Sequence, residues 1–335
     1  MTRSPTPPAF VPNRRLKDYA GITLRGVAMG AADVVPGVSG GTIAIIAGIY
    51  EELIDSLKSI NPTNLKRLFS EGLAAFWAAI NGNFLLALVL GIGASIFSLA
   101  KLIHGLLETQ PILVWSFFFG LVIASAFFVA RHIPRWTSGE VVALILGTVV
   151  SYVITILTPG EPNTAYWFIF VSAVIAICAM ILPGISGSFI LVLLGMYKFI
   201  LAAVSELQFD ILLVFATGAA LGLIAFSNLL SWLLHRHHDL TIATLIGVMI
   251  GSLNKVWPWK QVIEWELDRH GQRVPALESN VWPWSYPDLP AADLIGGSNE
   301  PYLALAIALA IAGFLAVAAF EWFTRRHLPD AGQGQ

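Results

Sequence analysis

Apolar residues run through this chain in long unbroken blocks, not in the alternation of strands or the narrow stripes of surface helices. Six blocks reach the roughly 20 residues needed to cross about 30 Å of hydrocarbon: Phe84–Leu107, Pro111–Ala130, Val141–Leu157, Ile211–Leu234, Thr241–Val256 (the shortest) and Tyr302–Phe323. Four more helical runs form two pairs, Leu16–Ala32 with Thr42–Leu57 and Tyr166–Leu182 with Phe189–Leu207. Each pair reads as a re-entrant hairpin that enters and leaves on one side. One hairpin plus three crossings then make up each half. Three is odd, so the second half must sit inverted relative to the first. The predicted fold is an all-α polytopic membrane protein with an inverted-topology repeat. The first repeat covers 14–158, with its hairpin at 16–57 and motif at 36–42. The second covers 165–324, with its hairpin at 166–207, motif at 183–188 and a long loop at 257–300. Polar tails, 1–13 and 325–335, are expected to be disordered, and the first shows no signal-peptide pattern.

The breaks between the paired runs are almost the same sequence. Pro36-Gly37-Val38-Ser39-Gly40-Gly41 recurs 147 residues later as Pro183-Gly184-Ile185-Ser186-Gly187-Ser188, and in the same register Gly48 answers Gly195 and Tyr50 answers Tyr197. Further on, Ser98–Ser125 aligns without gaps to Ala225–Ser252, sharing Leu106-Leu107 with Leu233-Leu234 and Gly120 with Gly247. A broken helix inside a membrane leaves backbone groups that need polar partners. Related breaks in two halves are the strongest sequence pointer to a transporter's binding site. Proline lacks an N–H, glycine accepts unusual dihedrals, and the restarting helix exposes its first N–H groups to an anion. Ser39, Thr42, Ser186 and Ser188 add hydroxyls, so phosphate or carboxylate is the natural ligand class. Close helix packing through small residues is the competing use of the same composition.

Composition agrees with the membrane reading: 56% hydrophobic, 12% charged, mean hydropathy +0.75. The net charge of −2 says little, but the basic residues sort sharply. Thirteen fall on one side of the predicted topology, while Lys255, Lys260, Arg269 and Arg273 fall on the other, in or beside the long loop. By the positive-inside rule both termini are cytoplasmic and the loop is external. Five of the eleven tryptophans lie in that loop, including Trp257-Pro258-Trp259 and Trp282-Pro283-Trp284, as expected of a collar at the headgroup level. Lone Cys178 excludes a disulfide within the chain.

Charges within or beside apolar helices are default functional candidates. Arg25, Lys101 and Lys198 are placed to neutralise a phosphate. Asp33 precedes the first motif, its counterpart is Met180, and with Glu51 and Glu52 it is a candidate proton carrier. The substrate-binding set is therefore Arg25, Asp33, Pro36, Gly37, Ser39, Gly40, Gly41, Thr42, Lys101, Pro183, Gly184, Ser186, Gly187 and Ser188. His235, His237 and His238 read as a solvated basic turn and not a metal tract. No metal site, cofactor, nucleotide fingerprint or nucleic-acid signature is found, which argues against ATP as the direct driver.

From Arg25 through Glu51, and again across Leu182–Ser188, the residues resemble the bacterial undecaprenyl phosphate translocases (PopT), long filed as a domain of unknown function. The likeness runs from about Leu16 to Ala319. It implies a multi-pass protein of the bacterial cytoplasmic membrane that returns a polyprenyl phosphate carrier lipid from the outer to the inner leaflet for cell-envelope synthesis. It implies a transporter and not an enzyme, with no catalytic residue and no cofactor, and leaves room for a homo-oligomer. Undecaprenyl pyrophosphate phosphatases share a Pro-Gly-x-Ser signature, but Gly40 and Gly187 stand where their arginine would be, and Met29 replaces one of two glutamates. A transporter of small soluble anions is a third reading.

Overall fold

The computed structural model describes residues 14–33, 39–267, 273–295 and 297–327. The proposed tails therefore lie wholly or largely outside the described residues, as do Pro36, Gly37 and Val38 of the first motif. The helices in chain order are α1 (Leu16–Asp33), α2 (Gly40–Ile46), α3 (Tyr50–Ser59), α4 (Pro62–Ser70), α5 (Leu73–Ala79), α6 (Gly82–Thr109), α7 (Pro111–Ala130), α8 (Ser138–Ile156), α9 (Tyr166–Ile181), α10 (Gly187–Leu193), α11 (Tyr197–Ser205), α12 (Phe209–Arg236), α13 (His238–Ser252) and α14 (Leu303–His327). Between α13 and α14 lies a β-hairpin, β1 (Lys260–Leu267) and β2 (Arg273–Asn280), which the all-α reading did not include. Its signal was the alternation Ile263, Trp265, Leu267 against Glu264 and Glu266.

Five helices among the described residues, α6, α7, α8, α12 and α14, are long and apolar enough to cross a membrane, and the bent pair α10–α11 is a sixth candidate. The expected fifth span corresponds to α13, which has only 15 residues, or about 22 Å at 1.5 Å per residue. It is nonetheless buried along most of its length, between α7 and α8. By contrast α8 turns Val142, Leu146, Val149 and Val153 outward. Such a continuous apolar exterior is what lipid contact requires, and it makes the chain a multi-pass membrane protein.

The helices approach one another at glycines, and each approach occurs twice. A Cβ on Gly120 of α7 would overlap the Ala310 carbonyl of α14; on Gly247 of α13 it would overlap the Leu144 carbonyl of α8. Gly313 lies against Phe117 and Leu121, and Gly147 against Thr244 and Val248, each pair of contacts 127 residues apart along the chain. Gly91 of α6 meets Thr23 and Val27 of α1, and its counterpart Gly218 of α12 meets Phe170 of α9. The direction of travel follows from successive contacts. Gly247 touches Leu144 and Thr148, Gly251 touches Thr148 and Tyr152, so α8 and α13 run parallel. Small residues let backbones close to this distance, which is the main source of helix cohesion in lipid.

The second arm of each hairpin, expected as one helix, is broken once more. Gly48 (φ +65°) and Gly195 (φ +70°) end α2 and α10. At the first break Ile49 N–H donates to Ala44 O (3.0 Å) and Gly48 N–H to Ile45 O (3.0 Å); at the second, Met196 N–H donates to Leu191 O (2.8 Å) and Gly195 N–H to Val192 O (2.9 Å). These are the paired bonds of a Schellman cap, which needs a left-handed residue just past the helix. The motif helices α2 and α10 are therefore only seven residues each.

At the end opposite the β-hairpin, α3 is tied to the α12–α13 turn. Lys58 Nζ donates to Ser231 Oγ (3.1 Å), which donates to Asp55 Oδ1 (2.6 Å). His238, just before the apolar run that starts at Thr241, lies 3.0 Å from Glu51 Oε1 and 3.0 Å from Asp239 Oδ1. Two histidines of this turn, His238 and His235 (3.5 Å from Asp55 Oδ2), are thus ion-pair partners of α3 and not merely solvated.

Two predictions follow from this packing. Gly120→Ala or Gly247→Ala forces a methyl into a neighbouring backbone and lowers stability by about 1–3 kcal/mol, whereas Gly93→Ala, with nothing within 4 Å of the added carbon, does not. Thermal unfolding in detergent measures both. The hydrogen bond to Glu51 raises the His238 pKa from 6.5 to about 9. A raised native pKa stabilises fully below about pH 6.5 and is lost as pH climbs through 9. The melting temperature should fall over that window, and the fall should be smaller in His238→Gln.

Candidate functional site

The two sequence motifs meet. Ser39, extended (φ −115°, ψ 134°) at the start of α2, accepts the Gly41 N–H at 3.1 Å and donates its hydroxyl to Leu182 O at 3.1 Å. Thr42 Oγ1 accepts the Gly184 N–H at 3.1 Å, and Tyr50 donates to Ile181 O at 3.1 Å. Ser39, Thr42 and Tyr50 are buried. The second break thus has three of its freed backbone groups satisfied by side chains of the first hairpin. Glycine is required on both sides of the junction. A Cβ on Gly41 would meet Ile181 O at 2.9 Å, and Gly184 (φ +89°) packs against Met249 and Ser252 of α13.

The tips are not equivalent. Asp33 Oδ1 accepts the Gly40 N–H at 2.6 Å, so a carboxylate from the chain itself occupies the anion position of the first tip. Met180 stands at the matching place in the second, and Ser186, preceding α10, makes no side-chain cap. Its Oγ lies instead 2.7 Å from Ser188 Oγ. The symmetrical pair of N–H nests expected from sequence is therefore one self-occupied tip and one uncapped tip, each on a helix too short for much of a dipole.

The uncapped tip opens into a cavity of about 630 Å³ beneath the β-hairpin. Ser188 and Phe189 of α10 form one wall, Trp115 of α7 another, and Lys255, Lys260 and Glu278 the roof. Lys260 is buried. Its Nζ donates to Lys255 O at 2.8 Å and to Glu278 Oε2 at 3.3 Å, and lies 4.3 Å from the centre of the Trp115 ring. Lys255 Nζ is 3.6 Å from the same Glu278 oxygen and 5.0 Å from the Phe189 ring centre. Burial pushes the Lys260 ammonium down to about 8, despite the charge of Glu278. Burial also opposes ionisation of Glu278, but the two lysines prevail and hold its pKa below the usual value. On the remaining side Ile156, Leu157 and Val192 line the cavity and are themselves exposed on the apolar exterior.

The other charges singled out from sequence lie elsewhere. Arg25 is partly buried on α1, with Arg14 and Glu52 as its charged neighbours. Glu52 takes both Arg14 guanidinium nitrogens at 2.6 Å and Asn81 Nδ2 at 2.8 Å. Glu51 faces His238. Lys101 is exposed on α6 and does not line the cavity, and Lys198 pairs with Glu266 of β1. Sequence reasoning placed Lys255 and Lys260 only as loop charges and gave Glu278 no role. Only the fold of the β-hairpin returns them to the tip. Among the described residues no cluster of three metal-ligating side chains occurs.

The family described as VCA0040-like, undecaprenyl phosphate translocase-like, matches residues 29–274. The polyprenyl-phosphate transporter of Vibrio cholerae is 50% identical over 272 residues, which cover 81% of this chain and 88% of that protein. The polyprenyl-phosphate transporter of Staphylococcus aureus is 34% identical over 253 residues, covering 70% and 85%. No solved structure matches the chain. Both motifs, the six apolar blocks' first five members and β1 fall within the matched region, and the chain belongs to the undecaprenyl phosphate translocase-like family.

Proposed function

We propose that this protein moves a polyprenyl phosphate between the leaflets of the bacterial cytoplasmic membrane, from outer to inner, carrying the phosphate between the two motif tips. The observation that carries the reading is the junction itself. Two breaks far apart in sequence are joined by Ser39 and Thr42 to Leu182 and Gly184, and the cavity with two lysines reaches Ser188 of the second motif. The names of the relatives, both polyprenyl-phosphate transporters, point to the same cargo.

A bare phosphate faces a desolvation cost of tens of kcal/mol in hydrocarbon on an idealised estimate. Hydroxyls, backbone N–H groups and ammonium groups lower it, while the isoprenoid tail stays in lipid past Ile156, Leu157 and Val192. Parallel travel of α8, the third crossing of its half, with α13, the second of the other, supports two halves of opposite orientation. Alternating access then consists of the halves rocking about the junction. The closed junction between the tips and the cavity beneath the loop fit a state open toward the loop, and the basic-residue distribution supports an external loop with both termini in the cytoplasm. A smaller cavity of about 320 Å³ at the opposite end, lined by Lys58, Asn61, Asn81 and His235, is the corresponding inward space. Of the candidate proton carriers, Glu52 is committed to Arg14 and Glu51 faces His238. Asp33 is the one placed at a tip, where release of the Gly40 N–H on protonation couples charge to opening.

The direct test is leaflet-resolved flipping of a polyprenyl phosphate in proteoliposomes. Thr42→Val strands the Gly184 N–H, a loss of about 1–3 kcal/mol, and should slow flipping by about tenfold with folding retained. Wild-type rates in that variant, or release of inorganic phosphate from the corresponding pyrophosphate lipid, contradict the reading. Asp33→Asn should remove the part of the pH dependence of flipping that differs from the titration of lipid phosphate binding, read as rate against pH beside binding against pH.

A further inference from the structure

The loop between α13 and α14 does more than cover the bundle. We propose that Lys255 and Lys260 form the outer docking site for a phosphate monoester, and that Glu278 is a displaceable counter-ion which holds the pair until phosphate arrives. This deepens the proposed function and rests on its reading of the cargo as a lipid phosphate.

Four observations converge on it. First, the two ammonium groups converge on one oxygen, Glu278 Oε2, at 3.3 and 3.6 Å. Two cations sharing one carboxylate oxygen leave a net positive charge, and a phosphate monoester offers more charge and more acceptor oxygens than a carboxylate. Second, each cation sits over an aromatic face, Trp115 or Phe189, which holds a charge in place while leaving its N–H donors available. Third, Ser188 lines the same cavity and adds a hydroxyl, while Asn280 anchors its wall. Asn280 is fixed by its Nδ2 donating to Asn254 O (2.7 Å) and Oδ1 (2.9 Å), and Asn254 donates to Thr155 at 2.9 Å. Fourth, the cavity is polar on the lysine side and apolar toward Ile156 and Leu157, which open on the lipid-facing exterior. A headgroup with a chain attached fits that division; a free anion uses only half of it.

The position of Glu278 explains how the site stays stable when empty. Buried ammonium groups without a counter-charge are costly, and β2 supplies one. Lys260 pairs across the hairpin through the register Lys260↔Asn280, with Glu278 two residues along the partner strand on the same face. Movement of β2 away from the cavity would carry Glu278 with it and free both lysines together. Asp33 at the Gly40 N–H is likewise a carboxylate of the chain set against donors, there at the first tip itself.

Binding to the purified full-length protein in detergent tests this, with a short-chain polyprenyl monophosphate and with inorganic phosphate as separate probes. Glu278→Gln should tighten binding of the lipid probe by about tenfold. Lys255→Met should weaken it by about tenfold, and Lys260→Arg should retain most of it. Thermal unfolding of each variant without ligand shows that it is folded, and Lys255→Met, at a part-exposed position, keeps the test decisive if Lys260 variants do not fold. Unchanged or weaker binding in folded Glu278→Gln, or wild-type binding in Lys255→Met, overturns the docking site while leaving the flipping reading intact. Lysine-dependent binding of inorganic phosphate as tight as the lipid would instead uphold the site and overturn the lipid as its cargo.

Discussion

Inside hydrocarbon a backbone N–H or C=O must find a partner within the protein, and this molecule breaks two apolar helical runs and satisfies groups freed there from within the chain. The rest of the structure follows from how those breaks are satisfied. The freed groups of the second break, Ile181 O, Leu182 O and Gly184 N–H, go to Tyr50, Ser39 and Thr42 of the first hairpin. Two N–H groups of the first break, those of Gly40 and Gly41, go to Asp33 and Ser39. Neither hairpin is complete alone. Their junction requires glycine at 41 and 184, and it requires two halves pressed together by the glycine crossings of α7 with α14 and α8 with α13.

On the proposed cycle the junction is stable while closed, and its donors, the Ser39 and Tyr50 hydroxyls and the Gly184 N–H, are ones from which a phosphate oxygen could accept. The two halves share their scaffold closely, down to matching Schellman caps at Gly48 and Gly195. They differ where charge is handled. The first tip carries its own carboxylate, Asp33. The second carries Met180, and Ser186 makes no side-chain cap there. On the proposed cycle identical tips would hold phosphate equally on both sides, and unequal tips would give a preferred order of events.

Much of this was legible in the sequence because it depends on residues with unusual backbone properties. Proline, glycine and serine in a repeated order marked both breaks, and the offset between Gly120 and Gly247 located crossings that the structure uses in register. The 147-residue offset also matched Gly48 to Gly195, although their role as helix ends was hidden: the apolar pattern continues through them, and only the positive φ reveals the stop. Charges were harder. Lys101 looked buried because its neighbours in sequence are apolar, yet it is exposed; Glu51 and Glu52, candidate proton carriers, find partners on α13 and before α1. Lys255, Lys260 and Glu278 looked like loop charges, because the sequence does not say that a β-hairpin folds back over the tip. Hydropathy reports the medium a segment prefers and says nothing of which loop returns to which helix.

The central claim is that the uncapped second tip faces a cavity entered from the loop side and receives a phosphate there. Accessibility of Ser188 tests it most directly. In a Cys178→Ala background, Ser188→Cys should react with a membrane-impermeant thiol reagent added on the loop side of oriented proteoliposomes, and polyprenyl phosphate should protect it where the unphosphorylated alcohol does not. Labelling only from the opposite side, or labelling indifferent to the lipid phosphate, would contradict the account.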